Sequence, residues 1–392
     1  MNATLVITQT ETLRPAARAL AKFRIIPRIE MFPRCVSFAQ TWLGKITLLA
    51  AFGLGLRFFI PDLSSVLEFV FVFALATFLP EHRRFILAVS SVVSSVDVVH
   101  SPLSVSLNLA VVASGILLFW CARRWPESWF AQRPVVFLLS GFSLLILFGC
   151  AAIPPSLSYK IIWSLVAVAA TYVWFIGYAL MDRNAKPTGD LTLELASFRP
   201  LWGSTNTPFP KGAAYLRRIE ARDEQQLAIV QLKGLKLLAW AILLSVLSSL
   251  WSRFFHGFLR IPTSAQALAM SVQRIPLAWH IRWESQILAF FEGILTMSIF
   301  GHRIIACCRF AGFNALRNTY RPLSSTTVAE FFNRFYFYFK ELLVDFFFYP
   351  TFLRYWKGHR RLRLVVATCS GIFWQRILSL HARLVDHPRR RS

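Results

Sequence analysis

Residues 326–350 read TTVAEFFNRFYFYFKELLVDFFFYP. The aromatic content would let this stretch enter a bilayer, yet it carries Asn333, Arg334, Lys340, Glu341 and Asp345. A charged side chain left facing lipid at the bilayer centre costs about 2.5–3.5 kcal/mol on insertion scales. Such a segment needs either a polar interior to face or partners for its charges. On a helical period Asn333, Lys340, Glu341 and Val344 share one side, and Phe332, Phe339, Leu343 and Phe346 take the rest. Spacing leaves two readings open: the wall of a polar chamber, or a structural helix whose charges pair or snorkel to the interface.

The chain around this stretch sets the fold class. Of 392 residues 56% are hydrophobic and only 16% charged, with 37 Phe and 13 Trp and a mean hydropathy of +0.51. That composition describes an all-α polytopic transmembrane helical bundle rather than a soluble domain. The net charge of +24 is scattered between apolar spans and forms no basic stripe with interleaved aromatics, so nucleic acid is not an expected partner. Cytoplasmic loops facing anionic lipid explain the excess better. Cys35, Cys121, Cys150, Cys307, Cys308 and Cys369 lack metal-ligand spacing and read as packing residues; no metal site is expected.

In chain order, residues 1–45 read as a basic cytoplasmic tail without the apolar core and cleavage site of a secretory signal. Residues 46–180 hold N-terminal transmembrane helices, with apolar spans at 46–60, 63–79, 85–99, 103–121, 134–153 and 161–180, several of them short for an upright crossing. The loops at 81–84 and 121–133 are basic, whereas 60–63 and 96–102 carry no Lys or Arg, an alternation that fits a cytoplasmic N-terminus. Residues 181–234 form a cytoplasmic loop. Within it, 213–234 reads either as a surface amphipathic helix, Arg217, Arg218 and Arg222 outward and Leu216, Ile219, Leu227 and Val230 inward, or as a solvated connector. Residues 235–368 hold C-terminal spans at 235–251 and 286–301. Arg253, Arg260, Arg274 and Arg282 between them imply either a hidden span near 265–270 or an interfacial belt. Basic flanks at 302–310 and 354–364 suggest that 326–350 is a re-entrant or broken helix lining a cavity, with both flanks on the cytoplasmic side.

The order Glu330, Phe331, Phe332, Arg334, Phe335, Leu343, Asp345, Pro350 resembles the signature of the membrane-bound O-acyltransferases. GFNALRNTYRPLSSTTV at 312–328 is similar to the lead-in of that signature, and SFRPLWGSTNTPFPKGA at 197–213 resembles the cytoplasmic loop of bacterial members. Tyr336 stands where several branches carry a histidine. The resemblance implies an integral protein of a bacterial inner membrane that moves an acyl group to a hydroxyl. Its co-substrate would be acyl-CoA or another acyl thioester, with no bound cofactor, and its partners membrane lipids, the acyl donor and an alcohol acceptor. Asp345, Asn333 and Tyr336 would be catalytic-site residues, and Arg334, Lys340, Glu341 and His359 would meet substrate. His359, in KGHRRLR, reads equally as part of a membrane-surface anchor, and His302 has the same two readings.

Acyl transfer to a hydroxyl needs a base, donors for the carbonyl oxygen, and exclusion of water. The family places a histidine base on the helix after the basic loop, behind a glycine-asparagine pair. Here residues 369–392 read CSGIFWQRILSLHARLVDHPRRRS. A back-translation of 369–389 with chosen codons, read from the second base, gives AAGFFGNAFYHFTRDWWIIR, which resembles that helix. We therefore expect a frame shift near Cys369 and a chain that lacks its base; the competing assignment makes His381 the base. Other classes are a transporter or flippase whose charged segment lines a path, disfavoured by the absence of an internal repeat, and a non-catalytic membrane partner.

Overall fold

The computed structural model describes residues 26–97, 102–153, 156–185, 191–198, 200–203, 209–354, 358, 359, 362 and 365, which include no strand beyond one isolated bridge between Glu220 and Phe313. The helices are α1 Pro33–Gln40, α2 Trp42–Arg57, α3 Leu63–Phe78, α4 Arg83–Asp97, α5 Pro102–Arg124, α6 Pro134–Ala151, α7 Leu157–Ala185 and α8 Leu191–Phe198. They continue as α9 Ala213–Ile219, α10 Glu224–Ser252, α11 Ser264–Val272, α12 Trp279–Phe310, α13 Val328–Phe335, α14 Phe337–Leu343 and α15 Tyr349–Arg354. Five stretches, Val105–Arg124, Pro134–Ala151, Leu157–Asp182, Glu224–Phe258 and Trp279–Phe310, are long and apolar enough to cross a membrane. The count rises to seven if the bent pairs α1 with α2 (97°) and α3 with α4 (112°) are each one span. The protein is an all-α, multi-pass membrane protein. Large apolar side chains such as Leu54, Leu147 and Phe148 are exposed, the exterior that a bilayer covers.

The centre of the bundle is the antiparallel pair α10 and α12, in which Trp251 meets Phe291 at one end (5.8 Å between rings) and Gly234 meets the Ala306–Phe310 turn at the other. A Cβ on Gly234 would stand 3.0 Å from the Ala306 carbonyl oxygen, so a residue without one lets the two backbones approach. Phe310 stacks on Phe52 at 4.0 Å and meets Phe73 edge-on at 5.6 Å, tying α12 to α2 and α3. Gln231 Nε2 donates to Thr77 Oγ1 (2.8 Å) and to the Phe310 carbonyl (3.3 Å), satisfying a buried amide at the same junction. A second core joins α5 and α7 through Val111, Phe119, Tyr172 and Ile176.

Each expected span overlaps a helix among the described residues, but 63–79 and 85–99, expected as two spans, qualify only together as the bent pair α3 with α4, and two finer expectations change. The surface helix expected over 213–234 is two pieces: α9 ends at Ile219, and Asp223 accepts the Gln226 amide (2.7 Å) to start α10 afresh. Such an N-cap resets the helix, so Leu227 and Val230 are buried in a span rather than laid on a surface. The segment near 265–270 forms α11, nine residues with a capping box at Thr263 and Gln266, about 14 Å long at 1.5 Å per residue and far short of a crossing. Arg253, Arg260, Arg274 and Arg282 are all exposed at this end beside exposed Trp279 and Trp283, the pattern of an interfacial belt.

Candidate functional site

The stretch 326–350 is a broken helix. Thr327 Oγ1 accepts the Glu330 amide (3.1 Å) to open α13, and Glu330 reaches back to the Thr326 amide (2.8 Å). At Tyr336 the backbone leaves the helical region, with φ −138° and ψ 68°, and α14 begins afresh. A break inside an apolar body exposes backbone groups that must be paired. The loop before it supplies the partners: Phe337 N donates to Asn318 O (3.0 Å), Tyr320 N to Arg334 O (2.7 Å), and Thr319 Oγ1 to Phe335 O (2.7 Å). Tyr338 is buried, donating its hydroxyl to Leu316 O (3.0 Å).

After α14 a π-turn spans Val344–Phe348, a local widening common at functional positions, and Asp345 lies in it. Lys211 Nζ lies 2.8 Å from Asp345 Oδ2 and 2.5 Å from Glu341 Oε2. Lys340 meets the other oxygen of Glu341 at 2.5 Å. Tyr178 on α7 donates its hydroxyl to Asp345 Oδ2 (3.2 Å), and Asp182 one turn on accepts the Ala214 amide (3.0 Å). A Cβ on Gly212 would meet Asp182 Oδ2 at 2.4 Å, so glycine after Lys211 lets the loop press against α7. Burial works against the Lys211 charge, but Asp345 and Glu341 outweigh it and hold its pKa above the ordinary lysine value.

Phe346 and Phe347 close the apolar side of this cluster against Trp174 (5.2 and 5.9 Å between rings). Phe209, two residues before Lys211, packs on Tyr338 at 5.2 Å and Tyr336 at 6.2 Å. Trp202 meets Phe313 at 5.9 Å and donates its indole N–H to Phe209 O (2.5 Å). The segments 200–213 and 313–347 are thus held together by an ion-paired, aromatic joint. Lys211 and Lys340 balance Glu341 and Asp345, so the joint tolerates partial burial.

The residues singled out from the sequence separate into groups. Asp345, Glu341 and Lys340 come together here, and Tyr336 lines the aromatic side. Arg334 lies apart, paired with Glu330 and donating to Ser324 Oγ (2.8 Å). Asn333 is exposed on α13, and His359 is exposed beyond α15. His302 is buried on α12 with Nδ1 2.6 Å from Ser298 O, a core contact rather than a surface one. His381 and the segment 369–392 lie outside the described residues. Lys211, Tyr178 and Asp182 were not anticipated; the loop's likeness at 197–213 contained Lys211, but no local pattern marked it as the partner of a carboxylate well over a hundred residues away.

Two surface hollows lie elsewhere. One of about 540 Å³ is lined by Arg84, Arg217, Arg222, Glu81 and Glu220, and one of about 310 Å³ by Ile29, Phe38, Leu48 and Leu232. Among the described residues, no three His, Cys, Asp or Glu side chains converge as metal ligands would. The side chains bonded to Glu341 and Asp345 among those residues are Lys211, Lys340 and Tyr178. None of these is the histidine base that acyl transfer would use. No family model, no curated protein and no solved structure matches the chain.

Proposed function

We propose that this protein is the scaffold of a membrane-bound O-acyltransferase, built to move an acyl group from a thioester to a hydroxyl acceptor but lacking, in this chain, the histidine helix that would supply the base. One observation carries the reading. The two stretches that separately resemble the family, 197–213 and 312–350, close on each other through Lys211, Asp345 and Glu341 and through Phe209 against Tyr336 and Tyr338. Two independent likenesses in contact are stronger support than either alone. A bacterial inner membrane and a cytoplasmic N-terminus belong to the same proposal. Loops 80–84, 217–222 and 312–318, basic and on one side by the charge count, meet in space through Arg84 with Glu220 (2.8 Å), Arg83 with Ala221 O (3.2 Å) and the Ala221 amide with Gly312 O (2.9 Å).

A second reading, a non-catalytic membrane protein, is favoured by the mutually bonded state of Lys211, Lys340, Glu341 and Asp345 and by the exposure of Asn333. Nucleotide sequence across codon 369, with thiol release from acyl-CoA by the purified chain before and after replacing its tail with the alternative-frame sequence, separates the two. Release only after replacement is the expected result. An uninterrupted frame without that string, together with no release from a folded repaired chain, leaves the non-catalytic reading.

A further inference from the structure

Just ahead of α1, which then turns at 97° into α2, the protein concentrates cations near an apolar hollow. Lys236 is almost fully buried and paired with Glu30, itself 8% exposed. Lys233 stands one turn earlier on α10. Arg309 lies across the helix crossing, its Cβ within 3.3 Å of the Cβ position at Gly234, and donates both Nε and Nη2 to the Ala315 carbonyl. Arg317 follows on the same loop, its guanidinium 5.8 Å from the Tyr320 ring centroid. Lys233 and Arg317 have no ion-pair partner among the described residues, so Glu30 faces an excess of positive charge. Burial pushes the Arg317 guanidinium down, with Tyr320 and then Glu30 opposing and Arg28 and Arg321 adding to the fall. Like charges gathered away from water need an anion.

A second observation says what kind. Glu30 Oε2 is buried and has no hydrogen-bond partner among the described residues, so a hydroxyl donor is wanted inside a cationic cluster. Ile29 and Leu232, the chain neighbours of Glu30 and Lys233, line the hollow of about 310 Å³, with Cys35, Phe38, Ala39 and Leu48 completing its wall and Arg34 also on its lining. Helix α1 turns at 97° into α2, a crossing that suits a helix lying along a membrane surface. Anion, hydroxyl and hydrocarbon chain are three parts of one molecule.

We propose that this corner binds an anionic phospholipid with a glycerol headgroup: one acyl chain in the hollow, the phosphate held by Lys233, Arg317 and Arg34, and a headgroup hydroxyl donated to Glu30 Oε2. The site does not depend on acyl transfer and stands if that reading fails. Juxtamembrane cations each strengthen binding of an anionic lipid about five-fold.

Native mass spectrometry of the full chain, released from nanodiscs of phosphatidylglycerol, phosphatidylserine or phosphatidylcholine, tests it. Phosphatidylglycerol should be retained, phosphatidylserine less well for want of the glycerol hydroxyl, and phosphatidylcholine not. Lys233→Gln and Arg317→Gln should each reduce retention about five-fold, and Cys35→Phe, which fills the hollow, should reduce it with every cation in place. Thermal midpoints in phosphatidylcholine show whether each variant folds, and Lys233→Gln, on a half-buried side chain, decides if Arg317→Gln does not. Equal retention of phosphatidylglycerol and phosphatidylcholine, or full retention by folded Lys233→Gln, overturns the proposal. Stabilisation by inorganic phosphate equal to that by phosphatidylglycerol would reassign the site to a soluble anion.

Discussion

Replacing Lys211 with methionine removes the ammonium that holds Asp345 and Glu341 while keeping a side chain of similar length. Breaking a fully buried ion pair from one side costs about 3–5 kcal/mol. The three side chains here retain about a fifth of their surface, at 20%, 20% and 22%, so water relieves part of the loss and about 2–3 kcal/mol is expected. Asp345→Asn should cost less, about 1 kcal/mol, because Lys211 keeps Glu341. The double variant should therefore recover about 1 kcal/mol relative to Lys211→Met alone, a coupling of about 2 kcal/mol against the sum of the two single costs, within the range that neighbours in one network show. Thermal unfolding in a fixed detergent, followed by tryptophan fluorescence, measures all three. The pH dependence has a definite sign. The folded pKa of Lys211 lies above its unfolded value, so its contribution is complete below about pH 10.4 and is lost as pH rises through the folded value. Lys211→Met should flatten that alkaline fall. A variant as stable as the parent, or a double variant no better than the single one, would refute the joint.

Gly234→Leu should destabilise the protein by about 1–3 kcal/mol through overpacking, because even a Cβ would stand 3.0 Å from the Ala306 carbonyl; denaturant titration in detergent reads this. Phe310→Ala should cost about 3–5 kcal/mol by emptying the fully buried contact with Phe52 and Phe73, seen as a lowered thermal midpoint. In a cysteine-free background, Gln225→Cys and Gln273→Cys, both exposed, should react with a membrane-impermeant maleimide from opposite faces, since one span lies between them. Labelling from the same face would contradict the proposed topology.

Fold class was legible because membrane helices announce themselves by continuous apolar runs, although 63–79 and 85–99, read as two spans, qualify only as one bent pair. Boundaries were less legible. Asp223 looked like one more polar residue in a charged amphipathic pattern, but its capping bond to Gln226 makes it the start of α10 and draws Leu227 and Val230 into the core. The basic residues of 253–282 broke a charge rule that counts only loops; exposed Trp279 and Trp283 beside them mark an interface instead. At the site, the periodicity of 326–350 put Asn333 with Lys340 and Glu341 on one face, because it assumed one continuous helix. The break at Tyr336 cancels that phase and leaves Asn333 exposed. Lys211 was hidden for another reason: a long-range ion pair leaves no local period, and its partner Asp345 is brought to it only by the packing of α7 and the π-turn.

The joint between 197–213 and 312–350 is proposed to belong to an acyl-transfer scaffold whose base is missing. The decisive assay is acyl-CoA thiol release, with membrane lipid extract as acceptor, by the repaired-tail chain with and without Asp345→Asn, at a temperature well below both thermal midpoints. The repaired chain should turn over, the chain as it stands should not, and Asp345→Asn should cause a large loss. A folded repaired chain that releases no thiol, or one whose turnover is indifferent to Asp345, would contradict it.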